Sequence, residues 1–121
     1  MSEHDEQVAV INWTKYHLGQ WPELEYLYAI PNGGKRHKRT AARLKAEGAK
    51  AGVSDLHLPI ARGSDIGLWI EMKFGKNKPT KSQIEWIEAM RTQGHRAEVC
   101  NGWEEAVKVL EEYMTQGANL P

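Results

Sequence analysis

Hydrophobic residues along the chain recur at two spacings, and together these predict an alternation of helices and strands. Residues 4–18 have helical spacing, with Val10, Trp13 and His17 on the same face as Glu6. Short runs of branched and aromatic residues, separated by glycine-rich turns, predict strands. The predicted order is helix 4–18, strand 26–30, helix 38–48, strands at 54–58 and 69–73, helix 80–93, strand 96–100 and a last helix that ends near Tyr113.

Two of the predicted strands carry charged residues that would meet on one face of a sheet. Side chains alternate along a strand, so Glu71 and Lys73 project from one face while Ile70 and Met72 point into a core. If the two strands pair, Asp55 joins the polar face. Such a cluster is costly beside a hydrophobic sheet unless something compensates the charge, and a divalent metal bound by the carboxylates would do so.

The size and composition of the chain are those of one globular domain. With 121 residues, 40% hydrophobic and 26% charged, it can bury roughly two-thirds of its unfolded surface. We expect neither a signal peptide nor a membrane span, because no segment has the required charge pattern or apolar length. A single cysteine, Cys100, predicts a reducing cytoplasm and a buried, inert thiol. The histidines show no zinc-binding spacing.

The formal net charge is zero, but the charges are distributed unevenly along the chain. Residues 35–50 hold seven Lys or Arg against the single acid Glu47, and Lys76 belongs to a second basic run between residues 73 and 81. Taken alone, these runs are typical of ordinary solvated surface. Beside a carboxylate cluster, they predict a basic stripe that contacts nucleic-acid phosphates.

Four short motifs follow one another in a defined order. They are ProAsnGlyGly at 31–34, GlyValSerAsp at 52–55, IleGluMetLys at 70–73, and Gln83 followed by Trp86. In this order they resemble the VRR-NUC domain, the virus-type replication-repair nuclease of the PD-(D/E)XK nuclease superfamily, from about Glu6 to Tyr113. Ser54 departs from the pattern, because the family usually has proline there. Proline would stiffen the start of the strand, so we expect serine to leave the metal site intact.

The resemblance implies an α/β fold with a restriction-endonuclease-like αβββαβ core, which is a mixed sheet flanked by helices. Here a basic helix would be inserted into that core and a C-terminal helix would follow it, within one domain over residues 1–121 whose tail frays from about 115. The implied function is a metal-dependent DNA endonuclease, acting as a homodimer in a bacterial or phage-infected cytoplasm on branched DNA such as four-way (Holliday) junctions. The alternatives are a less specific nicking or flap nuclease and a non-catalytic DNA-binding module that retains the fold.

The resemblance also assigns residues to roles. Mg²⁺ or Mn²⁺ would be held by Asp55, Glu71, the backbone carbonyl of Met72 and Glu6, while Lys73 and Gln83 would act on the attacking water and the phosphate. The residues implied to contact DNA are Asn32, Gly33, Gly34, Lys35, Arg36, Lys38, Arg39 and Lys76.

Three of these assignments compete with purely structural roles. A simple turn also explains AsnGlyGly at 32–34, because its glycines tolerate positive φ. Glu6 would also be favourable at the positive end of its own helix, and Glu3, one turn earlier, is the second choice for the metal role. Gln83 lies three residues after Thr80, which is the spacing of a capping box that closes the start of a helix. The same spacing at 101–104 predicts a second capping box, before the last helix.

Overall fold

A computed structural model of the chain describes residues 1–31 and 38–117, and for residues 38 and 39 it describes the backbone only. The helices are α1 (Glu3–Tyr16), α2 (Lys38–Ala46), α3 (Lys81–Thr92) and α4 (Trp103–Thr115), and a 3₁₀ helix spans Pro22–Tyr26. The strands are β1 (Tyr28–Ala29), β2 (Leu56–Leu58), β3 (Leu68–Lys73) and β4 (Arg96–Asn101).

The strands form a four-stranded mixed sheet in the order β1-β2-β3-β4. Strand β2 is antiparallel to both β1 and β3, whereas β4 runs parallel to β3 because α3 carries the chain back across the sheet. With α2 set aside as an insertion and α4 as an addition, the order is αβββαβ. The predicted fold class is therefore confirmed.

The alternating residues of β3 separate two apolar clusters on opposite faces of the sheet. On one face, Ile70 and Met72 belong to the main core together with residues of α1 and α4 such as Val10 and Leu110. On the other face, Trp69 packs with Ile87 of α3 and with Ala97. Glu71 and Lys73 have the same parity as Trp69, so they project on the α3 side, as predicted from the alternation.

The predicted strand 26–30 is shorter in the structure. Pro22 begins the 3₁₀ helix, which keeps Tyr26 out of the sheet, and only Tyr28 and Ala29 pair with β2. Proline is suited to the first turn of a helix because its fixed φ matches the helix and its missing N–H is not needed there. The predicted helix 38–48 ends two residues earlier, at Ala46.

The capping box predicted at 101–104 is wrong. The N-cap of α4 is Gly102, whose φ of +86° favours glycine, and no side chain of the predicted box caps the helix. The Asn101 side chain instead donates to the Gly75 carbonyl at 2.9 Å. The thiol of Cys100 is buried, and burial raises its pKa to about 12, which suits the inert role expected for it. None of the described helices has the length and apolar character needed to cross a membrane.

Candidate active site

Asp55 lies immediately before β2, where β2 and β3 begin to diverge. The last residue pair between these strands is Leu56 with Ile70, so the next position along each strand brings Asp55 opposite Glu71. The Asp55 carbonyl accepts a hydrogen bond from the Ile30 N–H at 2.8 Å, and its Oδ2 accepts one from the Met72 N–H at 2.7 Å. Ile30 therefore holds the Asp55 backbone, while the Asp55 carboxylate spans the gap at the end of the β2–β3 ladder and is held there by Met72.

Glu71 and Lys73 are both buried, with relative exposures of 1% and 8%. Lys73 Nζ lies 3.8 Å from Glu71 Oε2, whereas Glu71 Oε1 has no hydrogen-bond partner among the described residues. Burial, followed by the hydrogen bond to Asp55 and the Asp55 charge, raises the pKa of Glu71 from 4.5 to about 9; Lys73 opposes the shift and Glu3 adds to it. At neutral pH Glu71 therefore keeps a proton that a cation could replace.

The donor set at this gap fits a hard divalent cation. It comprises two carboxylates, one with an unpartnered buried oxygen, and the Met72 carbonyl, which points toward β2 together with the Met72 N–H. Over residues 1–31 and 38–117, no group of three or more His, Cys, Asp or Glu side chains is arranged to hold a metal ion. A site with few protein ligands suits Mg²⁺, which retains several waters and accepts phosphate oxygens as further ligands.

The structure gives Glu6 a protein partner outside this gap. The Glu6 carboxylate is buried, and its Oε1 accepts a hydrogen bond from the Trp103 N–H at 3.1 Å, at the first residue of α4. A carboxylate is stabilised at a helix N-terminus, where backbone N–H groups lack partners within the helix. Glu6 therefore caps α4, although the sequence suggested the N-terminus of its own helix as its structural alternative.

Glu3 is the acid of α1 whose charge acts on the Asp55–Glu71 carboxyl pair. Its charge contributes to the raised pKa of Glu71, and it lines a groove beside α1 together with Asp55. Asn77, in the loop after β3, holds Glu3 in place by donating a hydrogen bond from Nδ2 to Glu3 Oε2 at 2.8 Å. The sequence indicates Glu3 only as a second choice and gives no signal for Asn77, because no local motif links residues so far apart in the chain.

Gln83 takes part in the capping box that its spacing predicted. Thr80 is the N-cap of α3, its hydroxyl accepts from the Gln83 N–H at 3.3 Å, and Gln83 Oε1 accepts from the Thr80 N–H at 2.8 Å. This arrangement uses the oxygen of the Gln83 side-chain amide. Its Nε2 group donates to no other described residue, so the nitrogen is available to a ligand.

An aromatic row that sequence analysis did not single out lies beside the carboxylates on the same face of the sheet. The His57 ring stacks on Trp69 with centroids 3.8 Å apart, and its Nδ1 lies 2.7 Å from the Tyr28 hydroxyl. Burial, and secondarily His95, lowers the pKa of His57, which favours a neutral ring. With these contacts His57 is a polar neighbour of the carboxylates, and its Nδ1 is already engaged with the Tyr28 hydroxyl.

Only part of the predicted DNA-contacting set can be placed. Asn32, Gly33, Gly34, Lys35 and Arg36 lie outside the described residues. Lys38 and Arg39 begin α2, and their side chains also lie outside what the structure describes. Lys76 is exposed in the turn that follows β3, and Arg43 and Lys45 are exposed on α2.

A mixed sheet that brings an aspartate, a glutamate and a lysine together where two strands diverge defines the class as a nuclease-type domain. The family model of the VRR-NUC domain matches residues 1–104. A solved structure described as a VRR_NUC domain protein has a TM-score of 0.85 and 33% sequence identity, over 98% of this chain and 92% of that chain. No curated protein matches the chain. The chain belongs to the VRR-NUC domain family.

Proposed function

We propose that this domain is a DNA endonuclease that hydrolyses phosphodiester bonds with Mg²⁺ or Mn²⁺. The observation that carries the proposal is the convergence of Asp55, Glu71 and Lys73 at the gap between β2 and β3, with one Glu71 oxygen buried and unpartnered. A domain that only binds DNA gains nothing from two carboxylates facing the phosphates. A nuclease uses them to hold a cation.

In this proposal Asp55, Glu71 and the Met72 carbonyl hold the cation. Glu3 contributes from α1, directly or through water, in the role that the sequence assigned to Glu6, because Glu6 already caps α4. A bound divalent ion supplies Lewis-acid stabilisation of the phosphate charge and acidifies an attacking water. The Met72 N–H keeps the Asp55 carboxylate oriented toward the gap, and Asn77 does the same for Glu3.

Lys73 and Gln83 act on the reacting groups in this proposal. An ammonium group cannot ligate a cation, so Lys73 donates hydrogen bonds to the attacking water or to a phosphate oxygen. Its contact with Glu71 holds it beside the carboxylate pair. Gln83 Oε1 remains in the capping box of α3, while its free Nε2 donates to the water or to the substrate. The structural and functional roles of Gln83 are thus divided between the two atoms of one amide.

The DNA-contacting surface comprises the segment from Asn32 to Arg36, the basic helix α2 and Lys76. Every described side chain of α2 is exposed except the half-buried Leu44, so Arg43 and Lys45 are open to a phosphate backbone. The family resemblance extends the proposal to branched DNA, including four-way junctions, cut by a homodimer. We further propose that the chain forms one domain and works in the cytoplasm.

The decisive experiment is cleavage of labelled linear, flap and four-way-junction DNA with Mg²⁺, Mn²⁺ or EDTA. We expect cleavage only with a divalent metal, and its loss in Asp55→Asn and Glu71→Gln, which preserve side-chain shape but remove a charged ligand. Lys73→Ala should lose cleavage while retaining much of the metal affinity. Wild-type rates in the carboxylate variants would remove these residues from the mechanism. The absence of any metal-dependent cleavage would favour a non-catalytic DNA-binding module.

A further inference from the structure

A groove runs along α1 and ends at the candidate active site. Its volume is about 980 Å³, and Glu3 and Asp55 line the end nearest the catalytic carboxylates. Lys15 lines its other end and also borders a second cavity, of about 380 Å³, which reaches Tyr16. Because Asn12 and Lys15 line both cavities, the two are adjacent along the helix.

The chemistry of the groove changes along its length. Its acids, Glu3 and Asp55, both lie at the catalytic end, where a bound cation would offset their charge. Beyond them the polar lining consists of neutral and basic side chains, including Asn12 and Lys15. Val8, Ile11 and Ile30 add apolar lining between these ends. Tyr16 is 88% exposed at the far end, so its ring faces are available for stacking.

We propose that this groove binds a single strand of DNA that leads away from the phosphodiester bond to be cut. The inference rests on the proposed function, because the groove begins at the proposed catalytic carboxylates. A lysine for phosphates, an aromatic ring for bases and an apolar lining are the components of sequence-tolerant single-strand binding sites. The groove would thereby select DNA in which one strand is unpaired beside the cleavage position.

The length of the groove fits a short single strand. From His4 to Tyr16, α1 extends roughly 18 Å at 1.5 Å per residue. This length corresponds to about five nucleotides at a stacked spacing of 3.4 Å. Opposite α1 the groove is lined by the chain from Ala29 to Pro31, and a single strand needs less space between these segments than a duplex. Lys15 would contact a phosphate, and Tyr16 would stack on a base near the end of the bound segment.

The experiment compares the binding of three fluorescent DNAs by anisotropy in EDTA: a blunt duplex, and the same duplex with an oligothymidine arm at either its 5′ or its 3′ end. In the wild-type protein, one of the two arms should increase affinity over the blunt duplex. Tyr16→Ala should lower the affinity for the DNA with the favoured arm by about fivefold or more, as expected when one stacking interaction is removed. Lys15→Gln should also lower the affinity for the DNA with this arm, and should make arm binding less sensitive to salt. Neither variant should change the affinity for the blunt duplex.

Tyr26→Ala and Lys108→Gln are matched controls, since both residues are exposed and neither lines the groove. An equal loss of arm binding in the controls, or no gain from either arm in the wild type, would overturn the proposal. The proposal would also be overturned if Tyr16→Ala changed the protein from dimer to monomer and left arm binding intact. The groove would then be an interface between two copies of the chain.

The same set of variants distinguishes failure of this inference from failure of the proposed function. Metal-dependent cleavage with no effect of Tyr16→Ala on arm binding would leave a nuclease whose single strand follows another path. An arm effect that depends on Tyr16, without cleavage of any substrate, would leave a single-strand-binding groove on a domain that does not hydrolyse DNA.

Discussion

Glu71 lies in β3, a strand in which all six residues are buried, so its carboxyl group is removed from water. Lys73 offsets part of the charge at a distance of 3.8 Å, but one carboxyl oxygen remains unpartnered among the described residues. A buried polar atom without a partner costs about 1–3 kcal/mol. We attribute the presence of this destabilising carboxyl group to its proposed catalytic role. A glutamine or an apolar residue at the same position of the strand would destabilise the fold less.

Glu71→Gln should therefore stabilise the metal-free protein at alkaline pH, by about 1–3 kcal/mol. The unfolded carboxyl group loses its proton near pH 4.5, whereas the folded group keeps it up to about pH 9. The wild-type protein consequently loses stability as the pH rises between these values, and the variant does not. Urea unfolding in EDTA at pH 5 and pH 8 measures the difference, which should be larger at pH 8.

Glu85→Gln is the matched control for this measurement, because Glu85 is exposed and pairs with Lys81 on the surface of α3. Its effect should be small at either pH. Addition of Mg²⁺ should stabilise the wild-type protein and have little effect on Glu71→Gln. A Glu71→Gln variant less stable than wild type at pH 8 would show that the Glu71–Lys73 contact outweighs the cost of burial.

At the scale of elements, α1 carries two glutamates one turn apart that serve different partners. Glu6 caps α4. Glu3 acts through its charge on the carboxylate pair and is itself held by a hydrogen bond from Asn77.

Glu3→Gln should weaken Mg²⁺ binding measured by calorimetry. Glu6→Gln should leave it nearly unchanged, because an amide oxygen can still accept from the Trp103 N–H. Glu6→Ala should cost about 1 kcal/mol of stability, the usual value of a helix cap. Weakened Mg²⁺ binding in Glu6→Gln alone would make Glu6, and not Glu3, the metal ligand of this helix.

The two roles proposed for Gln83 can be separated by Gln83→Glu. A glutamate keeps the oxygen that accepts from the Thr80 N–H and is favourable at a helix N-terminus, so stability should change by less than about 0.5 kcal/mol. It has no amide donor, so DNA cleavage should slow by about tenfold or more. Thr80→Ala is the converse control and should cost about 1 kcal/mol of stability while leaving the amide in place. Unchanged cleavage in Gln83→Glu would show that Gln83 is a cap and nothing else.

The sequence predicted those features that depend on local periodicity. The alternation of Glu71 and Lys73, the sheet flanked by helices and the Thr80 capping box all follow from spacings of a few residues. The hydrogen bond between Glu6 and Trp103 joins residues 97 positions apart, and no local pattern predicts such a contact. For the same reason the sequence predicts Asn101 as the N-cap of α4. In the structure the N-cap is Gly102, and Glu6 of α1 accepts the hydrogen bond from the Trp103 N–H. Long-range packing, not local propensity, decides these positions.

At the scale of the whole molecule, positive charge is concentrated on an element that packs weakly. Helix α2 spans Lys38–Ala46 with four Lys or Arg and no acid in its sequence. Replacement of Arg43 and Lys45 with glutamine should weaken DNA binding for all sequences alike. The slope of log affinity against log salt concentration is negative, and it should become shallower by roughly 0.9 for each duplex phosphate that the variant no longer binds. Lys108→Gln on α4 is the control, and an equal slope in all three proteins would make α2 ordinary solvated surface.

The two edges of the sheet constrain how a second copy of the chain could bind. Along the outer edge of β4, Arg91 Nε donates to the Ala97 carbonyl at 2.9 Å, and Glu105 Oε1 accepts from the Asn101 N–H at 3.1 Å. On the other edge, β1 has only two residues. Two outward backbone groups of β4 are thus occupied by side chains and β1 offers only a short edge, which is a common protection against edge-to-edge pairing. The proposed homodimer should therefore form through helices or loops.

Two symmetric cuts in a four-way junction require two catalytic centres at a fixed separation, and a two-fold dimer provides them with one repeated interface. We expect light scattering to give a dimer, and paired-strand cleavage mapping to give cuts at symmetric positions. Val99→Lys, which places a charge on the exposed part of the β4 edge, should leave both results unchanged. Loss of the dimer in this variant would locate the interface at β4. A monomer that nicks one strand, no faster in a junction than in linear duplex, would refute the dimer and leave a simpler nicking nuclease.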